Sequence, residues 1–431
     1  MLVGPARAWA GASGGGPVDP EDMPLVQAEH FEFVGAFRVP SRGAGLTDTF
    51  AFGGGAAMSI NPNGTGGQKT LILGGRTDTM TVAEISIPAP DPVSGRTSLP
   101  VATLLQGFHD PSEGDYEDIY PAPKDSYPIV GTLVRGASLL TSYTIFYGSQ
   151  NNLSSITVSS TNFSTAGHQG PLTFDTTGHM LASLDEYGQK WFAGPMCHLP
   201  SEWQSRLGGK ALVGSAERST TQRNSVGPAA TVFDPADVGV VDPIPCKPLL
   251  GYFERVTDVP TTGPLPFPDF HLGCRIDGIA VPKGTRTFMA VGRYGTGSLT
   301  GFVGAGNNEA CYGIGTSDPS YINNPDNLNY CYSLASSNHT FHAYPYKREA
   351  WLYDMLDLED VKNGVKRHDA IYPYARVHIP WPEHLDFDDN CQLACAIDND
   401  VTPPRIYFAM LGSDENESPL IAVFDIVTGG G

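Results

Sequence analysis

The stretch FEFVGAFRVP, Phe31–Pro40, reads as one β-strand, rich in aromatic and β-branched residues and stopped by a proline. At the far end of the chain QLACAID (Gln392–Asp398), RIYFAML (Arg405–Leu411) and IAVFDIV (Ile421–Val427) read as three further strands, and there the sequence ends. A spare strand at one end and a missing fourth strand at the other are the two parts of one sheet. Joining them turns a row of sheets into a ring and removes two exposed sheet edges.

Between these ends the chain repeats a four-strand unit at a period of about 70 residues. The first unit is GGGAAMSINP (Gly53–Pro62), KTLILGG (Lys69–Gly75), TVAEISIP (Thr81–Pro88) and VATLLQGF (Val101–Phe108). The second is PIVGTLVRG (Pro128–Gly136), LLTSYTIFYG (Leu139–Gly148), SSITVSS (Ser154–Ser160) and PLTFDTTG (Pro171–Gly178). The third is WFAGPMCHLP (Trp191–Pro200), ALVGSAE (Ala211–Glu217), AATVFDP (Ala229–Pro235) and LLGYFERV (Leu249–Val256). The fourth is RIDGIAVP (Arg275–Pro282), TFMAVGRYG (Thr287–Gly295), EAWLYDML (Glu349–Leu356) and ARVHIP (Ala375–Pro380). The runs are short and bounded by Gly, Pro or Asp, as strands are. Two segments read as helical: Ser201–Leu207, with Ser201 as N-cap and Gly208 as stop, and Asp357–Asn363, ending at Gly364. The expected fold is all-β: a five-bladed β-propeller closed by the N-terminal strand, with two short helices in loops. A pair of β-sandwiches is the alternative, and it leaves the orphan strand unexplained. Residues 1–29 read as a flexible arm and 30–431 as a single domain, with an Asn/Gly/Tyr-rich insertion at 296–346.

Composition agrees. The chain has 50 Gly and 36 Pro spread throughout, 10% aromatic residues and only 17% charged ones, a balance that suits a rigid, turn-rich β protein and excludes intrinsic disorder. A formal net charge of −20 repels a phosphate backbone, so no nucleic-acid partner is expected. No apolar run reaches the ~18 residues of a membrane span. Met1–Pro20 lacks a secretory apolar core, so the expectation is a protein whose signal has been removed or one carried outside by another route, such as a virus particle. The expected location is extracellular or on a virion surface. Of seven Cys, Cys311 and Cys331 flank a segment with little apolar periodicity and are the disulfide candidate. Cys391 and Cys395 are four apart and, on a strand, too distant to bond.

In a propeller, ligands meet residues at the start of the inner strands. Those are Asp48 and Phe50 in the first unit, Glu117, Asp118 and Tyr120 in the second, and Lys190 and Trp191 in the third. His271, Arg275 and Asp277 follow in the fourth, and Asp386, Asp388 and Asp389 in the fifth. Aromatic faces that stack on sugar rings and carboxylates that bind hydroxyls point to a glycan site built from Glu117, Asp118, Tyr120, Trp191, Arg275, Asp277, Asp388 and Asp389. Each has a plainer reading: Arg275 with Asp277 is also an inter-blade ion pair, and Asp386–Asp389 also a solvated turn. That turn offers the oxygens Ca²⁺ takes but not the Asp-x-Asp-x-Asp-Gly spacing, so no cofactor is expected. HExxH and a phosphate loop are absent.

The repeat resembles five-bladed propellers in general, among them glycoside hydrolases of the arabinanase and invertase type and lectins of the tachylectin type. The hydrolase resemblance implies an acid on the first inner strand, where this chain has Gly53-Gly54-Gly55. HAYPYKREAWLYD (His342–Asp354) and GPAATVFDPADV (Gly227–Val238) resemble segments of uncharacterised bacterial and phage-encoded proteins. The leading expectation is a non-catalytic structural or binding propeller that contacts glycans or neighbouring subunits. The alternative is a glycoside hydrolase or polysaccharide lyase with carboxylates at the channel mouth; no catalytic residue is assigned.

Overall fold

The computed structural model describes residues 18–41, 49–51, 55–76, 79–115, 129–144, 155–175, 192–215, 227–252, 275–295, 331–333, 336–340, 346–385, 393–412 and 418–429. Strand β1 (Phe31–Arg38) comes first. Blade one is β2 (Met58–Asn61), β3 (Thr70–Gly74), β4 (Val82–Ser86) and β5 (Leu104–His109). Blade two is β6 (Ile129–Arg135), β7 (Ser138–Tyr143), β8 (Ser155–Ser160) and β9 (Gln169–Leu172). Blade three is β10 (Met196–His198), β11 (Ala211–Val213), β12 (Ala230–Phe233) and β13 (Cys246–Leu250). Blade four is β14 (Arg275–Ala280), β15 (Thr287–Gly295), β18 (Tyr346–Asp354) and β19 (Ala375–His378), with the hairpin β16 (Cys331–Ser333) and β17 (Ser336–Thr340) between β15 and β18. Blade five is β20 (Leu393–Asp398), β21 (Arg405–Met410) and β22 (Leu420–Ile426), completed by β1.

The closure is explicit in the register. β1 runs antiparallel to β22 from Phe31 opposite Ile426 to Arg38 opposite Leu420, with an irregularity between Phe33 and Gly35. The outer edge of β1 is covered too, because Ala36 and Asp91 exchange backbone hydrogen bonds of 2.9 and 3.0 Å. Inner strands β2, β6, β10, β14 and β20 each neighbour the next around the axis, and β20 neighbours β2. The fold is a five-bladed β-propeller.

Alternation explains why these strands look apolar on both faces. A blade is sandwiched between two others, so successive residues enter different cores. Leu71 and Leu73 pack toward blade five and Ile72 toward blade two. Leu420, Ala422, Phe424 and Ile426 pack toward blade four, while Ile421 and Val423 pack toward blade one. Each buried large side chain contributes on the order of 1.5–3 kcal/mol.

Helix α1 (Ser201–Leu207) and helix α2 (Met355–Lys362) pack against blades three and four. Ser201 is the first helical residue and makes no cap, its position as N-cap being taken by Pro200, whereas Gly208 does end the helix in the left-handed region at φ 81°. The second helix starts earlier than expected because Asp354 caps it, its carboxylate accepting from the Leu356 N–H at 3.1 Å. Two outer strands also start earlier than the apolar pattern indicates, at Gln169 and Cys246. Each carries a proline, Pro171 or Pro248, which an edge strand tolerates. Ahead of β1, the Val26 N–H donates to Thr287 Oγ1 (2.9 Å) and Tyr374 donates to the Val26 carbonyl (2.9 Å). Arg206 of α1 meanwhile reaches Glu21 (3.1 Å) and Glu359 (2.7 Å). Among the described residues no helix is long and apolar enough to cross a membrane.

Candidate functional site

The ring has two mouths: an upper one where the inner strands begin and a lower one where they end. At the upper mouth Arg275 and Asp277 lie in the first half of β14, the inner strand of blade four. Residue Asp277 is the extra residue of a β-bulge, since Ile276 pairs with Gly292 and Gly278 with Val291. Blade two repeats the device at Val130, between Ile129 and Gly131. The glycine after each bulge lies where inner strands of neighbouring blades nearly touch. A Cβ on Gly278 would come within 2.6 Å of the Cys395 nitrogen, and one on Gly131 within 2.0 Å of the Gly194 carbonyl. Bulges re-aim single side chains in this way, and here the side chain is a carboxylate.

Arg275 Nε donates to Asp277 Oδ1. This pair lies within one strand, which corrects the inter-blade reading: positions two apart on a strand share a face. Asp277 is only 2% exposed, and its Oδ2 has no hydrogen-bond partner among the described residues. A carboxylate so buried and half-satisfied is costly unless something else binds it. Behind it, Arg275, Arg293 and Arg348 stand in register across β14, β15 and β18, with Arg293 and Arg348 buried. The Arg348 guanidinium lies 5.9 Å from the Trp381 ring centroid, within cation–π range.

Phe50 is buried in the core between blades five and one, not at a mouth. Glu117, Asp118, Tyr120, Trp191, Asp388 and Asp389 lie outside the described residues, as do Asp48, Lys190, His271 and Asp386. Cys311 lies outside them too, and Cys331 is described only as part of β16, so the proposed disulfide has no described geometry. Cys197, Cys246 and Cys395 are free thiols. No group of three or more metal-ligating side chains occurs among the described residues.

No family model matches this chain. No curated protein matches it either, so the likeness of its segments to bacterial and phage-encoded proteins gains no support from relatives. Function has to be argued from the mouths themselves.

The lower mouth holds a feature that sequence reading missed. A cavity of about 300 Å³ is lined by residues from all five blades, among them Ser59, Leu133, Met196, Lys283 and Asp398. Asp398 is buried and accepts from Lys69 Nζ at 2.5 Å and from the Asp400 N–H at 3.0 Å. Nε2 of His198 donates to the Val134 carbonyl at 2.7 Å, which fixes the ring. Burial pushes the Cys197 thiol in the wall up to about 12, so it is no nucleophile at neutral pH. The signal that could have found this site is the turn after each inner strand, Asp398-Asn399-Asp400 and Lys283 in particular.

Proposed function

We propose that this chain is a non-catalytic binding propeller, displayed on a cell or virion surface, that contacts glycans or neighbouring subunits through its upper mouth. The observation that carries this reading is Asp277, a buried carboxylate with one oxygen held by Arg275 and the other without a partner among the described residues. Such an oxygen is an acceptor for a sugar hydroxyl, and the adjacent guanidinium is a donor for a ring or carboxyl oxygen. A glycan-array screen followed by calorimetry on the full chain tests it. A glycan ligand should lose at least tenfold in affinity with Asp277→Asn, in protein whose circular dichroism matches the parent. Protein that binds no glycan, and that forms no assembly with itself or a particle, contradicts the reading.

The same unpartnered oxygen favours a second reading, a glycoside hydrolase or polysaccharide lyase. Hydrolysis needs a second carboxyl group within roughly 5–10 Å of the first, and Glu117, Asp118, Asp388 and Asp389 are the candidates. Release of reducing ends from a polysaccharide panel, abolished by Asp277→Asn, would replace the binding reading with this one.

A further inference from the structure

The lower cavity is a second site, independent of the upper mouth, and its chemistry differs. Its apolar wall is formed by Met58, Leu133, Met196, Cys197 and Ala396, and among the described residues no Phe, Tyr or Trp lines it. A sugar ring would find no stacking face there. Its ionic groups cancel: Asp398 is neutralised by Lys69, and the remaining pair are Lys283 and Asp400. These two are exposed on adjacent turns and, among the described residues, neither side chain has an ion-pair partner. Their turns are clamped together by Asn399, whose Oδ1 accepts from the Lys283 N–H at 2.9 Å and whose Nδ2 donates to the Val281 carbonyl at 3.0 Å. One cation and one anion are therefore held on the same side of the rim without meeting each other. Ser59 also lines the cavity, and its hydroxyl, buried beside it, lacks a partner among the described residues.

We infer that this cavity binds a small zwitterion with an apolar body, of the free α-amino acid class. The ligand's carboxylate would face Lys283, its ammonium Asp400, and its side chain would enter between Met58, Leu133 and Met196. The volume, at the lower end of the range for small-molecule sites, suits a ligand of that size.

Calorimetry and thermal shift on the full chain, with L-methionine or L-leucine as probe, test this directly. The free amino acid should raise the melting temperature in a saturable way. The N-acetyl derivative, which lacks the ammonium, and the methyl ester, which lacks the carboxylate, should each bind at least tenfold more weakly. Lys283→Ala should remove the penalty for esterification and Asp400→Ala the penalty for acetylation. Both residues are exposed turn positions, so both variants should keep the parent's melting temperature without ligand. Asp277→Asn at the other mouth should leave this binding unchanged, whatever its effect on glycans. Absence of saturable binding would overturn the inference. So would derivatives that bind as tightly as the parent amino acid, or glucose that binds better.

Discussion

Two of the five blade interfaces are built on opposite plans. Between blades three and four, Trp203, Trp351, Tyr252, Phe288 and Tyr353 form a broad apolar core joined by Leu207, Leu358 and Val361 of the two helices. Two of its polar groups are matched: the Tyr252 hydroxyl donates to the Ile371 carbonyl at 2.6 Å, and the Trp203 indole donates to the Thr285 carbonyl at 3.0 Å. Between blades one and two the apolar cluster is small. Strand parity turns Ser59 of β2, Thr132 of β6, Thr141 of β7 and Ser159 of β8 into that interface, and among the described residues all four buried hydroxyls lack a partner. Each such orphan costs about 1–3 kcal/mol unless water fills the gap. A propeller therefore has no uniform strength around its ring. The broad apolar interface is expected to carry more of the stability, and the hydroxyl-lined one to open first.

One element offsets the weakness. Glu84 of β4 is fully buried at the outer part of the one–two interface. Its carboxylate accepts from Thr65 Oγ1 (2.5 Å), Thr70 Oγ1 (2.5 Å), Gln106 Nε2 (2.6 Å) and Asn61 Nδ2 (3.3 Å). Gln106 then carries the contact into blade two, donating to the Thr161 carbonyl at 2.8 Å and accepting from the Phe163 N–H at 2.8 Å. The poorly packed interface is thus pinned at its rim by a hydrogen-bond hub.

The contrast can be broken most forcefully on the apolar side. Trp351→Ala should cost about 3–5 kcal/mol in chemical denaturation, as large-to-small changes in tight cores do; a loss below 1 kcal/mol would mean the interface is not close-packed. Glu84→Gln should cost less, about 2–3 kcal/mol, because hydrogen bonds to a charged acceptor are lost and the new amide faces one of the amide donors, Asn61 on Oε1 or Gln106 on Oε2. Thr132→Val combined with Thr141→Val should have the opposite sign and stabilise by ~1–2 kcal/mol, since isosteric removal of orphan hydroxyls ends a desolvation cost. Destabilisation by that pair would show that ordered water satisfies them, and a high-resolution map would locate it.

The smallest effects are in pH. Burial alone would raise the Glu84 pKa, but the hydrogen bonds from Thr65, Thr70 and Gln106 outweigh it and hold the group below its ordinary 4.5. Its contribution is complete above pH 4.5 and lost as pH falls through the lowered folded value. His368 donates to the Gly251 carbonyl at 2.7 Å beside the three–four interface, and burial holds it below its ordinary 6.5. Protonation therefore favours the unfolded chain, and stability conferred by the neutral ring declines as pH drops below 6.5. Melting curves should show His368→Gln flattening the change between pH 6.5 and 5 and Glu84→Gln flattening it only below pH 4.5.

How much of this was legible in the sequence follows from how local each signal is. β1 and the three strands of blade five could be read because alternation and terminal punctuation lie within single stretches. The outer strands at Gln169 and Cys246 were misjudged because edge strands admit polar residues and proline, which mimic turns. The paired bulges were present as Ile129-Val130-Gly131 and Ile276-Asp277-Gly278, equivalent positions of two units, yet only geometry shows that the glycines mark a close approach of blades. The lower cavity had only a scattered signal, the turns after the inner strands. Ser59, Leu133, Met196, Lys283 and Asp398 are far apart in the chain and meet only because five inner strands end at one axis.

Ring closure by β1 underlies both mouths and all five interfaces, and cross-linking tests it most directly. Ala36 and Ala422 are register partners on β1 and β22. With both replaced by cysteine, mild oxidation should yield one intramolecular disulfide, mapped by mass spectrometry to peptides from the two ends of the chain, and a raised melting temperature. Failure of that pair to cross-link in folded protein, or a cross-link that forms only after unfolding, would contradict the closed ring.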